Sequence, residues 1–217
     1  MSSSRLPPTF WLGVVFFTAF LVLARVLSLL EAKQHEAALP VLGQISDFTL
    51  TNQDGRVTTL TDLTNHVWVA DIIFTRCAGQ CPGMMERMKT VQNLLPPADS
   101  DTKLVTLTTD PDYDSPAIMK RYGGLFGADY NRWTLLTGTK AQIANLAANS
   151  LKLSAVPIKP EDQKSAVDLF IHTTIFVIVD KHAQLRGTFE TGGDGVDWTN
   201  VVEPQLIRTI HQLERES

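Results

Sequence analysis

The sequence predicts an α/β domain with a partly parallel sheet, preceded by an apolar helix near the N-terminus. From about residue 45 onward, β-rich apolar runs alternate with segments of helical spacing, which indicates parallel strand pairs joined by helices. Two β-rich runs joined by a short turn follow late in the chain and indicate an antiparallel hairpin. A length of 217 residues suffices for one such domain plus an appendage.

A β-hairpin comes first, because residues 47–51 and 57–60 have strand character and flank the turn Gln53-Asp54-Gly55. The hairpin is an extension that precedes the central elements. These are predicted as a strand over 68–74, a helix from Pro82 to about 95, a strand over 104–108, a helix from Pro116, a strand over 133–136, a helix over 140–151, strands over 171–179 and 185–189, and a helix over 200–213.

Cys77 and Cys81 are the only cysteines of the chain, and they lie between the first central strand and its helix. A dithiol at the first strand-to-helix junction of an α/β pattern is the thioredoxin arrangement. Such a pair can exchange electrons as dithiol and disulfide, or bind a soft metal ion as two thiolates. We expect the helix N-terminus to favour the thiolate and to lower the pKa of both thiols below about 8.5. A structural disulfide is the less favoured alternative, since so short a loop gives little stabilisation.

The N-terminal segment predicts a membrane anchor. Residues 10–24 are apolar, Arg25 interrupts the run, and apolar residues resume to residue 30. A helix over 10–30 would span about 30 Å, which matches a bilayer core. Arg5 favours a cytoplasmic segment over residues 1–9, with residues from 31 onward outside the cytoplasm. A signal peptide is the alternative for 10–30. Residues 31–44 are predicted as a linker, and residues 45–217 as the folded domain.

Charge and composition argue against nucleic acid as a partner, whereas one acidic segment of the chain leaves a docking surface as an alternative. The formal net charge is -4 and the chain has no basic block, so we expect no nucleic acid partner. Asp110, Asp112 and Asp114 imitate the start of a calcium loop, but Ser115 stands where that loop needs glycine. We interpret the segment as a turn before a helix, with an acidic docking surface left open as an alternative.

Met84, Met85 and Met88 have helical spacing and are predicted to lie in the core.

These motifs resemble those of the Sco/SenC family, which are membrane-anchored, thioredoxin-like copper proteins that assist cytochrome c oxidase assembly. The resemblance extends from about Asp47 to the C-terminal helix. Its specific part is the dithiol followed by Pro82, together with the later His172. The remaining motifs are 47–50 with 53–55, 109–111 with 114–116, Trp133 with 136–138, and the strand after His172.

The resemblance implies a metal site formed by Cys77, Cys81 and His172. Two thiolates and one imidazole suit Cu(I), and Cu(II) remains an open alternative. The family usually has proline after the first cysteine and aspartate before the histidine, whereas this chain has Ala78 and Ile171. These departures concern residues around the ligands and therefore the affinity and redox potential of the site.

The implied function is that of a metallochaperone and not primarily of an enzyme. The chain would deliver one copper ion to the dinuclear copper site of the copper-bearing subunit of cytochrome c oxidase. A copper donor protein and a thiol reductant are further implied partners, and the periplasmic side of a bacterial inner membrane is the implied location. The alternative is a thiol-disulfide oxidoreductase that uses Cys77 and Cys81 to reduce the acceptor's cysteines without an obligate metal.

Overall fold

The computed structural model describes residues 10–11, 16–25, 38–96, 100–153, 155–157, 170–172 and 174–216, with 155–157 and 170–172 described by their backbone alone. The chain divides into two units, Met1–Leu39 and Pro40–Ser217. In the first unit, residues 10–11 and 16–25 are helical. The rest of the anchor predicted over 10–30 lies outside the described residues. Within the described parts, no helix combines the length and apolar character needed to cross a membrane.

The second unit is an eight-stranded sheet with helices, as the alternating pattern predicts. The strands are β1 (Gly43–Gln44), β2 (Thr49–Asn52), β3 (Val57–Thr59), β4 (Trp68–Ile73), β5 (Lys103–Thr108), β6 (Trp133–Thr137), β9 (Ile175–Val179) and β10 (Gln184–Glu190), while β7 (Ala155–Pro157) and β8 (Phe170–His172) form a separate pair. The helices are α1 (Gln80–Leu94), α2 (Pro116–Leu125), α3 (Lys140–Ala144) and α4 (Glu203–Arg215).

The order of strands in the large sheet is β1-β10-β9-β4-β5-β6-β2-β3. The neighbours β4, β5 and β6 are parallel, and the other pairs are antiparallel. The N-terminal hairpin, predicted as an extension, joins the sheet because β2 also pairs with β6. Strand β4 lies at the centre, and all six of its residues are buried, as expected for a parallel strand covered on both faces.

The predicted ends of the linker and of the strand over 171–179 are wrong, because both depend on which strands pair with each other. Residues 43–44, assigned to the linker, form β1 against β10, where Leu42 donates its N–H to the carbonyl of Leu185 at 2.8 Å. The single strand predicted over 171–179 is two strands in different sheets. Strand β8 pairs with β7, whereas β9 pairs with β4 and β10. A continuous β-branched run does not reveal a change of partner, because both halves satisfy the same local preference.

The three methionines of α1 lie in the core, as their spacing predicts. Met84, Met85 and Met88 are each 0% exposed, and Val91 on the same face is buried with them. Since a helix places positions three and four apart on one face, this set forms a continuous apolar stripe. The thioethers therefore stabilise the packing of the helix that carries Cys81.

We predict that Met88→Ala lowers the free energy of unfolding by about 2–5 kcal/mol, because it leaves a cavity in a closed core. Leu94→Ala is the matched control on the same helix, since Leu94 is 46% exposed, and its effect is expected to stay below about 1 kcal/mol. Denaturant titration of the full chain in a mild detergent measures both. Equal effects of the two variants would contradict the core assignment.

Candidate metal centre

The loop that carries Cys77 is positioned by the meeting of two parallel strands. Strands β4 and β5 are in register to their last residues, so their following loops leave the same edge of the sheet. The loop after β4 turns at Phe74, whose carbonyl accepts a hydrogen bond from the Cys77 N–H at 3.1 Å. Helix α1 then begins at Gln80, so Cys81 is its second residue. The predicted strand-to-helix placement of the dithiol is confirmed.

A buried carboxylate fixes this loop to the loop after β5. Asp114 is 0% exposed, and it accepts hydrogen bonds from the Thr75 N–H at 3.1 Å, from the Thr75 hydroxyl, and from the Thr108 hydroxyl at 2.5 Å. Burial raises the pKa of Asp114, and these hydrogen bonds oppose that shift. The sequence pattern assigned Asp114 only to a turn or to an acidic surface.

A second contact between the same loops lies beside Cys77. The Arg76 guanidinium donates to Asp110 at 2.6 Å and lies 4.2 Å above the centre of the Tyr113 ring. The hydrogen bond to Asp110 raises the pKa of Arg76, and Asp110 itself is 7% exposed. Asp112 pairs with Lys140 at 2.5 Å. Asp110 and Asp114 are buried, so the acidic docking surface considered for this segment is reduced to the exposed Asp112.

The two thiols lie together but in unequal environments. No disulfide joins Cys77 and Cys81, and a hydrogen bond links their side chains. Cys77 is partly exposed, whereas Cys81 is 0% exposed. The hydrogen bond with Cys77 and then burial raise the pKa of Cys81 far above its usual range. For Cys81 the expected lowering of the pKa at the helix N-terminus is wrong, because the hydrogen bond with Cys77 and burial together disfavour the thiolate more than the helix dipole favours it.

Two further titratable groups lie close to the dithiol and escaped the sequence analysis. Asp71 is 0% exposed in the middle of β4, and its charge contributes to the raised pKa of Cys81. Burial, followed by the charges of Cys81 and Cys77, raises the pKa of Tyr122 in α2. An acidic residue within a buried strand was a usable signal, since ionisable groups are seldom fully buried without a role. The sequence held no comparable signal for Tyr122.

Thr174, two residues after His172, is hydrogen-bonded to a loop near the start of α1. His172 pairs with Ala155 in the two-stranded sheet, and its backbone is all that is described. Two residues later, the Thr174 carbonyl accepts from the Thr191 N–H at 2.6 Å, and the Thr174 hydroxyl donates to the Gly192 carbonyl at 2.8 Å. A Cβ added to Gly192 would lie 3.5 Å from Gln80 Oε1, so the side chain of the first residue of α1 lies close to this loop.

The structure brings together two of the three predicted ligands. Among the described side chains, no three histidine, cysteine, aspartate or glutamate groups gather closely enough to hold a metal ion. Cys77 and Cys81 form a pair that is able to exchange electrons or bind a soft ion. The side chain of His172 lies outside that description, and its role stays a prediction.

We predict that Cys77 reacts with iodoacetamide at least about tenfold faster than Cys81 near neutral pH, because exposure and thiolate fraction control thiol reactivity. A raised pKa keeps Cys81 protonated below that pKa, so its labelling should increase as the pH rises. Mass spectrometry of peptides taken early in the reaction measures both sites. The same reaction in denaturant is the control and should label them at similar rates. Faster labelling of Cys81 in the folded chain would contradict the described environments.

Comparison with known proteins agrees with this geometry. A curated SCO1 protein homolog from Bacillus subtilis is 33% identical over 141 residues, which cover 64% of this chain and 70% of that protein. The structure of a SCO1/SenC family lipoprotein from Bacillus anthracis has a TM-score of 0.69 at 27% identity, covering 80% of this chain and 96% of that one.

Two further solved structures, both of Sco proteins, share the fold of this chain. BsSco, described as a member of the Sco family of cytochrome c oxidase assembly proteins with a disulfide switch, has a TM-score of 0.67 at 26% identity, covering 82% and 99% of the two chains. Copper-bound ScoI from Bradyrhizobium japonicum has a TM-score of 0.63, covering 77% and 98%, but at 20% identity the likeness shows the fold alone. The thioredoxin-like α/β fold is thereby confirmed.

The family assignment rests on the extent of the match as well as on the dithiol. The SCO1/SenC family model matches residues 40–205, which include every strand of the sheet and the dithiol loop. The resemblance inferred from the motifs is confirmed, and the chain belongs to the SCO1/SenC family.

Proposed function

We propose that this chain is a membrane-anchored copper chaperone. It binds one copper ion through Cys77, Cys81 and His172 and delivers it to the dinuclear copper site of cytochrome c oxidase. The observation that carries the proposal is the pair of hydrogen-bonded thiols at the β4–α1 junction of a SCO1/SenC chain. Copper handling and oxidase assembly in relatives with this fold support it. A copper donor protein and a thiol reductant complete the set of partners that the cycle requires.

The donor set suits copper better than other common metals. Thiolates are soft ligands that favour Cu(I), and imidazole is an acceptable third ligand, whereas calcium and magnesium prefer oxygen. Because Cys81 has a raised pKa, copper binding must displace its proton. The apparent copper affinity should therefore increase as the pH rises. Cu(II) binding by the same residues stays an open alternative.

The position of His172 in the chain supports its role as the third ligand. Strand β9, which follows it closely, pairs directly with the dithiol strand β4. Thr174, just before β9, is hydrogen-bonded to Thr191 and Gly192, and the side chain of Gln80 at the start of α1 lies close to Gly192. Ala78 and Ile171 replace the residues usual in the family, so we expect the affinity to differ from that of other members while the ligands stay the same.

The anchor proposed for this protein is the apolar segment 10–30. The apolar run from residue 10 and Arg5 ahead of it favour a helix with a cytoplasmic N-terminus. The folded unit then lies outside the cytoplasm, on the periplasmic side of a bacterial inner membrane.

The alternative function is thiol-disulfide exchange with the acceptor's cysteines. The unequal thiols favour it, because an accessible Cys77 is able to attack a disulfide and a buried Cys81 is able to resolve the mixed disulfide. Oxidation of the pair to a disulfide removes both thiolates and with them the copper site. Copper binding and exchange are thus competing uses of the same sulfurs.

We predict that His172→Ala weakens copper binding by about 100-fold, because one of three ligands is lost, while Cys77 and Cys81 still form a disulfide. His182→Ala is the matched control, since His182 is exposed in the turn between β9 and β10. Copper competition titration of the reduced full chain in detergent measures the affinity, and thiol counting after oxidation measures the disulfide. An unchanged affinity in His172→Ala would exclude the three-ligand site and favour the exchange function.

We predict that Cys77→Ser and Cys81→Ser each lose both copper binding and intramolecular disulfide formation, because each removes one of two thiolates that both reactions require. Metal analysis after gel filtration gives the copper content, and circular dichroism verifies that each variant is folded. Full copper stoichiometry in either folded variant would rule out the proposed ligand set.

A further inference from the structure

A cleft opens directly beside the dithiol loop, between that loop and α2. Its walls are formed by Thr75, Arg76, Tyr113, Ile118, Arg121, Tyr122 and Leu125. Its volume is about 190 Å³. That is smaller than the roughly 300–1,000 Å³ of sites for small organic ligands, but it suits one or two side chains of a docked peptide. Because Arg76 precedes Cys77, a peptide in the cleft would lie beside the more accessible thiol.

Two hydrogen-bond donors in the walls of the cleft lack acceptors. Arg76 Nε and the Tyr122 hydroxyl are both buried from solvent, and neither has a hydrogen-bond partner among the described residues. Buried polar groups are almost always satisfied in folded proteins, so each exception needs an explanation. Both groups donate hydrogen bonds, so a carboxylate or carbonyl oxygen is the acceptor that would satisfy them, and because neither atom is open to solvent a side-chain shift must accompany docking.

The charge of the cleft also favours an acidic occupant. Asp110 is engaged by Arg76, and Asp114 is held by the two threonines, so neither acid presents a free carboxylate to the cleft. Arg121 is exposed, and no described acidic group forms an ion pair with it. The cleft therefore offers one uncompensated guanidinium beside the two unsatisfied donors, and such a group binds carboxylates well.

The rim of the cleft is apolar on the side of α2. Leu125 is 77% exposed and Tyr113 is 42% exposed, although both are large enough to stabilise a core if they were buried. Exposed anchors of this kind beside a charged pocket are typical of the surfaces that bind proteins. An occupant with an apolar side chain next to an acidic one would cover both features.

We propose that this cleft binds an acidic segment of the acceptor protein, with a carboxylate in reach of Arg121 and the unsatisfied donors and an apolar side chain against Leu125. The docked segment presents its cysteine sulfur to Cys77. This inference extends the proposed function by giving the chemistry of the partner's contact segment. It concerns the approach to Cys77 and is tested without copper, so its failure and the failure of the copper site are distinguishable.

The experiment measures thiol exchange with three synthetic peptides. Each peptide contains one cysteine blocked as a mixed disulfide with thionitrobenzoate, one leucine, and flanking residues that are acidic, neutral or basic. The Cys77 thiolate attacks the peptide sulfur and forms a mixed disulfide, while the coloured thionitrobenzoate leaves as a thiolate. Cys81 then attacks Cys77, closes the Cys77–Cys81 disulfide and releases the peptide thiol, so the chain loses two electrons and the peptide disulfide gains them.

We predict that the reduced full chain in detergent reacts about tenfold faster with the acidic peptide than with the basic one at low ionic strength. The preference should shrink as salt is added, because screening weakens exposed charge pairs. Arg121→Gln should lower the ratio of acidic to neutral rates at least about threefold. Tyr122→Phe should lower the same ratio while the ring still fills its place, and the neutral peptide corrects for any change in thiol reactivity.

Arg208→Gln is the matched control, because Arg208 is exposed on α4 and its loss changes the net charge equally. Equal rates for the three peptides would overturn the proposal. It would also be overturned if Arg208→Gln lowered the ratio as much as Arg121→Gln, since the preference would then reflect overall charge. A chain that sediments as a dimer and reacts with the peptides only after Leu125→Asp would assign the cleft to a second copy instead.

Discussion

The buried carboxylate of Asp114 is the contact on which the geometry of the dithiol depends. An ionised carboxylate taken out of water is unfavourable by several kcal/mol unless it is hydrogen-bonded. Here Thr75 and Thr108 supply three hydrogen bonds, one of them from the backbone of the loop that carries Cys77. Because the two threonines come from neighbouring strand ends, the interaction joins β4 and β5 where their pairing stops. The loop between β4 and α1 is thereby held at a fixed place.

The environment of the dithiol follows from this arrangement. The fixed loop leaves Cys77 partly exposed, while the packing of α1 against the core, through Met84, Met85 and Met88, places Cys81 fully inside. The helix dipole acts on both sulfurs, but only Cys81 is removed from water, so burial and the hydrogen bond with Cys77 together outweigh the dipole there. One accessible and one buried thiol in hydrogen-bond contact suit stepwise chemistry, whether the step is metal capture or disulfide exchange.

The edge of the sheet at which β4 and β5 end connects the dithiol to its surroundings. The Asp110–Tyr113 segment engages Arg76 on one side, and the Thr191–Gly192 loop lies close to the side chain of Gln80 at the start of α1 on the other. The first contact forms part of the cleft beside Cys77, and the loop of the second is hydrogen-bonded to Thr174, just before β9.

The sequence by itself determined the α/β order of elements, the place of the dithiol, the methionine core and the family, because each depends on local periodicity or on contiguous motifs. It did not determine that residues 171–179 change sheets, because strand propensity says nothing of the pairing partner. Nor did it determine that Asp110, Asp112 and Asp114 serve three different partners, or that Cys81 has a raised pKa. Those properties depend on burial and on residues distant in sequence, such as Thr75 and Asp114, which only the tertiary structure brings into contact.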